Sequence, residues 1–368
     1  MKKVAILLIG EIKYDGRVQK EIKTFKKNRY EVTLIVSKFI NDLRENYDFD
    51  IYSLNYKQEK KPMRNLINKF KFCKEAFLQL KLIKPDIIHC NDLDTLYAGH
   101  LYKKIDKKVK LVYDAHELFP ESQEGLIRKI FWNIVEMLYI KDSDEVVSPE
   151  VNRAKYMKKK YKLKKVNVIE NFPINKELEN LNYIEHDIPE TQDKYKILYL
   201  GEILPNREIE TIISCMKKLK DDICLVLIGK IRSEKYKKLL DGIIEAKNLK
   251  SKVFFLPPVE NKFVINYINS ANIGLVFYKN TNLNNYYCAS NKLYEFINCN
   301  KKVITNDYPG LKRIINGYDL GICLNKINED GIIEGIHNIL RKYKNSNLSL
   351  KKFYWEDQED DFLSIYLD

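Results

Sequence analysis

The sequence predicts an α/β protein built from two tandem, doubly wound Rossmann-like units. Three observations predict it. The chain has 368 residues, enough for two domains at roughly 150 residues each. Short runs rich in Val, Ile and Leu alternate with longer amphipathic stretches, as in parallel sheets covered by helices on both faces. The alternation pauses once, over 172–194, and then restarts.

In the first half, Val4–Ile9, Glu31–Val36, Ile51–Leu54, Asp86–His89, Lys110–Tyr113, Glu145–Val147 and Val166–Ile169 read as strands, each short and apolar. Between the third and fourth, Leu66, Phe70, Cys73, Phe77 and Leu80 recur at alternating spacings of four and three, the apolar stripe of a helix. The stretch 172–194 is polar, proline-marked and unperiodic, which suits a linker. Strands resume at Lys196–Leu200, Cys224–Ile228, Val253–Leu256, Ile273–Phe277, Lys302–Ile304 and Gly321–Cys323. Helices are expected near 207–219, 233–248, 260–269, 290–299 and 329–343. The expected domains are 1–172 and 195–345, followed by a C-terminal segment, 346–368.

Composition narrows the class. The chain is 45% hydrophobic and 31% charged with 13 Gly and 10 Pro, which excludes collagen-like and largely disordered proteins. Its start mimics a secretory signal, but the apolar run stops at Glu11 with no small-residue cleavage site, so a buried first strand is expected. No segment approaches the roughly 18–20 apolar residues of a membrane span. The seven cysteines are scattered, and the five histidines show no ligand spacing. A reduced, soluble, cytoplasmic protein with no metal and no cofactor is the expectation.

The net charge is +13 and uneven: residues 1–180 hold 37 Lys+Arg against 26 Asp+Glu, the remainder 27 against 25. That asymmetry suits an anionic partner, though a solvated lysine-rich surface explains it as well. Two stretches concentrate it. Lys57, Lys60, Lys61, Arg64, Lys69, Lys71 and Lys74 surround a helix with Phe70, Phe72 and Phe77, and a second run extends from Arg153 to Lys165. No nucleic-acid motif accompanies them. An anionic membrane surface, with an exposed aromatic such as Phe72 adding apolar contact, is the partner considered.

Ligands of open α/β sheets bind beyond the carboxyl ends of strands. Gly10-Glu11-Ile12-Lys13-Tyr14-Asp15-Gly16-Arg17 follows the first strand, and it is neither a dinucleotide fingerprint nor a phosphate loop. Asp-x-Asp occurs three times; of these only Asp92/Asp94 follows a strand, and there Asp92 suits a helix cap. Asp114-Ala115-His116-Glu117 sets a histidine between acids, as a catalytic cluster or as a capping loop. Arg207 stands where a helix begins. Ser290-Asn291-Lys292-Leu293-Tyr294-Glu295 opens another helix, whose amides and dipole suit a diphosphate while Glu295 suits a ribose. The plain alternative is a capping Ser290 and a solvated Glu295.

Together these pieces resemble the retaining family 4 glycosyltransferases of the GT-B fold. In family order they are Asp-Gly-Arg after strand one, Tyr-Asp-Ala-His-Glu at 113–117, and Val168-Ile169-Glu170-Asn171-Phe172-Pro173. Then come Tyr-Leu-Gly-Glu-Ile at 199–203 with Arg207, Leu-Val-Leu-Ile-Gly at 225–229, Ala271-Asn272-Ile273-Gly274-Leu275, Asn-Lys-Leu-Tyr-Glu-Phe at 291–296, and Trp355-Glu356. The resemblance implies two Rossmann-like domains facing each other across a cleft, with the last helix crossing back to the first. It implies a nucleoside-diphosphate sugar donor and a glycan or lipid-linked acceptor, as in surface polysaccharide synthesis. By the same resemblance Glu295 holds the ribose, and Arg207 and Lys292 the diphosphate, with Gly201, Ser290, Asn291 and Leu293 beside it. Val259 edges the base. His116 faces the donor sugar, and Gly16, Arg17, Glu117 and Tyr287 lie on the sugar or acceptor side. Two departures stand out: Tyr287 replaces the first glutamate of the family's Glu-x7-Glu motif, and Glu202 stands where many relatives carry an arginine. A nucleotide-sugar epimerase of the same fold and an inactive nucleotide-sugar-binding subunit are the alternatives.

Overall fold

The structure is a computed structural model and describes residues 1–38, 48–54, 56, 59, 61–176, 183–288, 290–342 and 351–367. Lys57, Lys60, the end of the expected helix at 329–343 and the expected boundary at 345–346 lie outside them.

Every expected strand is present. The first sheet comprises β1 (Lys3–Glu11), β2 (Glu31–Lys38), β3 (Asp50–Ser53), β4 (Ile87–Asn91), β5 (Lys110–Asp114), β6 (Glu145–Ser148) and β7 (Asn167–Val168). Their spatial order is β3-β2-β1-β4-β5-β6-β7, with parallel pairing throughout. The second comprises β8 (Tyr195–Leu200), β9 (Ile223–Ile228), β10 (Val253–Leu256), β11 (Ile273–Val276), β12 (Lys302–Asn306) and β13 (Gly321–Leu324). Its order is β10-β9-β8-β11-β12-β13, again all parallel.

The residues fall into two compact units, one built on each sheet. The first takes 1–171, 282–284 and the stretch from Trp355 onward; the second takes 172–281 and 285–354. In the second sheet the strand residues sort by parity. Leu198, Leu200, Val226 and Ile228 enter one apolar cluster, while Ile197, Tyr199, Leu225 and Leu227 enter another. Helices therefore cover both faces, which is why these strands read as continuous apolar runs.

Local chemistry sets the helix ends. The Asp15 carboxylate accepts from the amides of Arg17 and Val18 at 3.1 and 3.0 Å, capping the helix Gly16–Lys27. Pro62 starts the helix Pro62–Ile83, which Lys84 ends in the left-handed conformation. The single helix expected at 207–219 is broken: Glu208 is left-handed (φ 61°), splitting a turn at Pro205–Arg207 from the helix Ile209–Cys215. Part of the expected linker is also structured. Tyr183–Asp187 is helical, with Ile184 and Ile188 buried in the second unit's core.

The C-terminal segment returns to the first unit. Trp355, Phe362 and Tyr366 are 2% exposed or less. Trp355 Nε1 donates to Thr24 Oγ1 at 2.8 Å, and Phe25 meets the ring of Tyr366 at 4.7 Å.

Candidate functional site

Each sheet reverses its strand order once, between β1 and β4 in the first unit and between β8 and β11 in the second. The crevice beyond the carboxyl ends at such a reversal is where open α/β sheets bind ligands. The sequence-expected residues lie in loops and helix starts that follow strands, in two groups, one per unit.

In the first unit His116 follows β5 by two residues. Its Nε2 lies 2.9 Å from Asn91 Oδ1 at the end of β4. Its Nδ1 lies 3.6 Å from Asp92 Oδ2, and its amide donates to Asp92 Oδ1 at 3.1 Å. Asp92 is therefore not a helix cap. It holds φ 61° and ψ 165°, a region that costs a non-glycine residue about 1–3 kcal/mol and that recurs at functional sites. Burial pushes the Asp92 carboxyl up, to about 7, against the pull of His116. Burial works against charge on His116 as well, yet Asp92 and Asp114 outweigh it and raise its pKa. Arg153, on the helix Val151–Tyr161, donates from Nη1 to the His116 carbonyl at 2.9 Å and so fixes the loop. Glu117 accepts from Asn284 Nδ2 at 3.0 Å.

Arg17 is a correction. Expected beside the sugar or acceptor, it is 3% exposed and lies beneath the site. Its Nε is 3.0 Å from Glu21 Oε1, its Nη2 2.6 Å from Asp114 Oδ2, and its Nη1 donates to the Ile169 carbonyl at 2.8 Å. Burial alone would raise Asp114; Arg17, with His116 and His89, reverses that and holds its carboxyl down, at about 2. The Asp-Gly-Arg loop is thus a cap (Asp15), a helix start (Gly16) and a buried anchor (Arg17). His89 continues the network, 3.2 Å from Glu21 Oε2 and 2.7 Å from the Tyr366 hydroxyl.

Glu21, Asp114 and His116 place ligand atoms within 4.8 Å of one another, but the Arg17 guanidinium already bridges both carboxylates. A cation there would have to displace a buried ion pair, leaving a charge unpaired. Asp92 and Asp94 diverge, because Asp94 pairs with Lys69 at 2.6 Å.

In the second unit Arg207 lies with its guanidinium carbon 4.1 Å from the centre of the Tyr278 ring, and its Nη1 is buried without a hydrogen-bond partner. The Tyr278 hydroxyl donates to Ser290 Oγ at 3.1 Å. Ser290 stands at the cap position of the helix Asn291–Asn298, yet its side chain makes no capping bond. Lys292 Nζ is 3.0 Å from Glu295 Oε2, and Glu295 is only 13% exposed. Both plain alternatives therefore fail: Ser290 does not cap, and Glu295 is not a solvated surface group. Asn291 is exposed and Leu293 buried.

The Gly201 loop abuts the next one so closely that a methyl group on Gly229 would sit 1.7 Å from the Gly201 carbonyl oxygen. Glu202 accepts from Arg232 Nε at 2.6 Å. Tyr287 is half-buried, its ring 5.1 Å from Tyr286, which in turn lies 5.3 Å from Tyr308. Val259, after the edge strand β10, packs half-buried on the core.

Sequence reasoning missed Tyr278 and Lys176, and it read Arg153 as part of a basic surface run although that side chain is 5% exposed. Tyr278 directly follows the expected strand Ile273–Phe277, and that position was its one signal. Lys176 lies in the expected linker; burial lowers its pKa while Glu295 works to raise it.

The family description "Glycosyltransferase Family 4" matches residues 18–172, and "Glycosyl transferases group 1" matches 182–352. No curated protein matches the sequence. Among solved structures, sucrose-phosphate synthase of Thermosynechococcus elongatus superposes with a TM-score of 0.79 at 16% identity, covering 100% of this chain and 98% of its own. Anabaena HepE in complex with UDP gives 0.75 at 12% identity, covering 100% and 99%. Staphylococcus aureus MnaA with UDP gives 0.63 at 14%, covering 99% and 98%. At such identities the likeness establishes the fold, two Rossmann-like domains of the GT-B type. With each half matched by its own description and the two in the family's order, the chain is a GT-B glycosyltransferase of the group 1, family 4-like kind.

Proposed function

We propose that the second unit binds a nucleoside-diphosphate sugar and that the enzyme moves the sugar, with retention, to a hydroxyl of a glycan or lipid-linked acceptor held by the first unit. One observation carries this reading: an uncapped helix start flanked by Arg207, Lys292 and Glu295, with Tyr278 joining Arg207 to Ser290. Helix-start amides and two cations suit a diphosphate, and a mostly buried carboxylate suits the paired hydroxyls of a ribose. That HepE was solved with UDP and with UDP-glucose supports a uridine nucleotide and a hexose.

In the reaction the bond between anomeric carbon and diphosphate oxygen breaks. Charge gathers on the departing phosphate, where fixed donors are worth most. Arg207, the Lys292 side chain and the amides of Asn291 and Lys292 would receive it. Gly229 lets the Gly201 loop approach closely, and the backbone at Val259 edges the base. His116, positioned by Asn91, Asp92 and Arg153, is assigned to the sugar, with Glu117 and Tyr287 on the sugar or acceptor side. We take the enzyme to be metal-independent, so turnover should survive removal of metal by a chelator; loss restored by manganese or magnesium would reverse that. Surface polysaccharide assembly, with the acceptor met at an anionic membrane, is the setting proposed.

Glu295→Ala and Arg207→Ala should each weaken nucleoside-diphosphate binding by about 1.5–3 kcal/mol, the worth of a hydrogen bond to a charged group, or roughly ten- to 150-fold. Thermal shift and turnover against a panel of nucleotide sugars measure it. Unaltered affinity in both variants would sink the assignment. Interconversion of the donor without an acceptor would favour an epimerase, and binding without turnover an inactive subunit.

A further inference from the structure

The helix Leu126–Tyr139 turns an apolar face to solvent. Leu126, Ile127, Ile130, Ile134, Met137 and Leu138 are 44–85% exposed. Their spacing puts them on one side, and a large exposed apolar patch marks an interaction surface. The opposite side fixes the helix. The Trp132 ring meets Phe119 at 4.9 Å, and Glu136 accepts from the Tyr113 hydroxyl at 2.7 Å.

The surrounding charge is mainly basic. On or just beyond this helix Arg128 and Lys141 are exposed, as are Glu124 and Asp144, and the basic excess comes from its neighbours, with Lys104, Lys107 and Lys108 exposed at the end of Leu93–Ile105. The steps β3 to β4, β4 to β5 and β5 to β6 all run the same way across the sheet. Right-handed crossovers therefore put the helices Pro62–Ile83, Leu93–Ile105 and Leu126–Tyr139 on one face. The outward row of Pro62–Ile83 carries Met63, Arg64, Ile67, Lys71, Lys74 and Leu78, with Glu75 as its exposed acid. Phe72, the aromatic expected outside, is fully buried.

We infer that this helical layer docks on an anionic bilayer, with the apolar face of Leu126–Tyr139 lying in the headgroup–acyl boundary and the basic rows over the lipid phosphates. The proposal deepens the reading of an acceptor met at a membrane, and its purpose rests on that reading. A helix of 14 residues is too short to span and lies in the plane of the interface. Charge selects this occupant over a second copy of the chain, because pairing this face with itself would oppose like-charged rows.

Co-sedimentation with phosphatidylcholine vesicles, with and without about 30% phosphatidylglycerol, tests it. Partition onto the anionic vesicles should exceed that onto neutral ones by at least roughly tenfold and fall as salt rises. Ile127→Asp with Ile134→Asp should reduce it by at least about tenfold, and Ile127→Ser should do so more mildly. Arg64→Gln, Lys71→Gln and Lys74→Gln should weaken binding on anionic vesicles alone. Stabilisation by UDP should match wild type in every variant, which separates loss of docking from loss of fold. If wild type gains nothing from UDP, the donor reading fails while the vesicle result stands. Indifference to lipid charge, indifference to the aspartates, or a solution dimer that the aspartates dissolve would each overturn the proposal.

Discussion

His116 and Asp92 hold a proton more readily in the folded chain than in water, and this has a signed consequence. A group whose pKa rises on folding lends stability that is complete below its unfolded value and lost as pH climbs through its folded value. Asp92 therefore withdraws stability from the ordinary carboxylate range up to about 7, and His116 withdraws it from its ordinary value upward. Urea unfolding should show stability falling from pH 5 to pH 8. Asp92→Asn should flatten that slope, since it removes one titration and the main support of the other. Identical slopes would refute the pairing. Here the sequence placed His116 at a polar site but read Asp92 as a cap. Their contact joins the ends of β4 and β5, strands that become neighbours only in the sheet.

Among the elements, the βα turns of the second unit depend on close backbone approach. Gly229→Ala would drive a methyl group into the Gly201 carbonyl, with backbone on both sides. It should cost well over about 1 kcal/mol and weaken nucleotide binding through the displaced Gly201 loop. Gly242, on the exposed side of the helix Glu234–Ala246, has open space at its Cβ, so Gly242→Ala should stabilise by up to about 1 kcal/mol. Melting of the two variants compares them, and shifts in the same direction would contradict the argument. The central strands were legible because each is a short apolar run buried on both faces, and the less buried edge strands β3 and β13 because each follows a helical stretch in the alternation. The break at Glu208 was not, because a left-handed glutamate has no signature in composition.

For the whole molecule, the C-terminal segment is part of the first unit's core. Tyr366→Phe removes the hydroxyl that meets His89 Nδ1 and should cost about 1–3 kcal/mol by leaving a buried ring nitrogen unpaired. Truncation after Tyr354 would also strip Trp355 and Phe362 from Thr24 and Phe25. Limited proteolysis should then open the first unit while the second stays resistant. Equal resistance of both, or an unchanged melt, would show that the segment is dispensable.

By itself the sequence determined the fold class, the strands among the described residues and the order of the family motifs, and it named the candidate donor residues. Each of these is written in local periodicity or in residues adjacent along the chain. Only the tertiary structure decided that Arg17 is a buried anchor, that Tyr278 joins Arg207 to Ser290, and that the outward apolar face belongs to Leu126–Tyr139 rather than to Phe72. Those outcomes depend on which strands lie side by side and on which side of a helix finds a neighbour. Burial and pairing of that kind are set by contacts between segments far apart in sequence, where no local pattern records them.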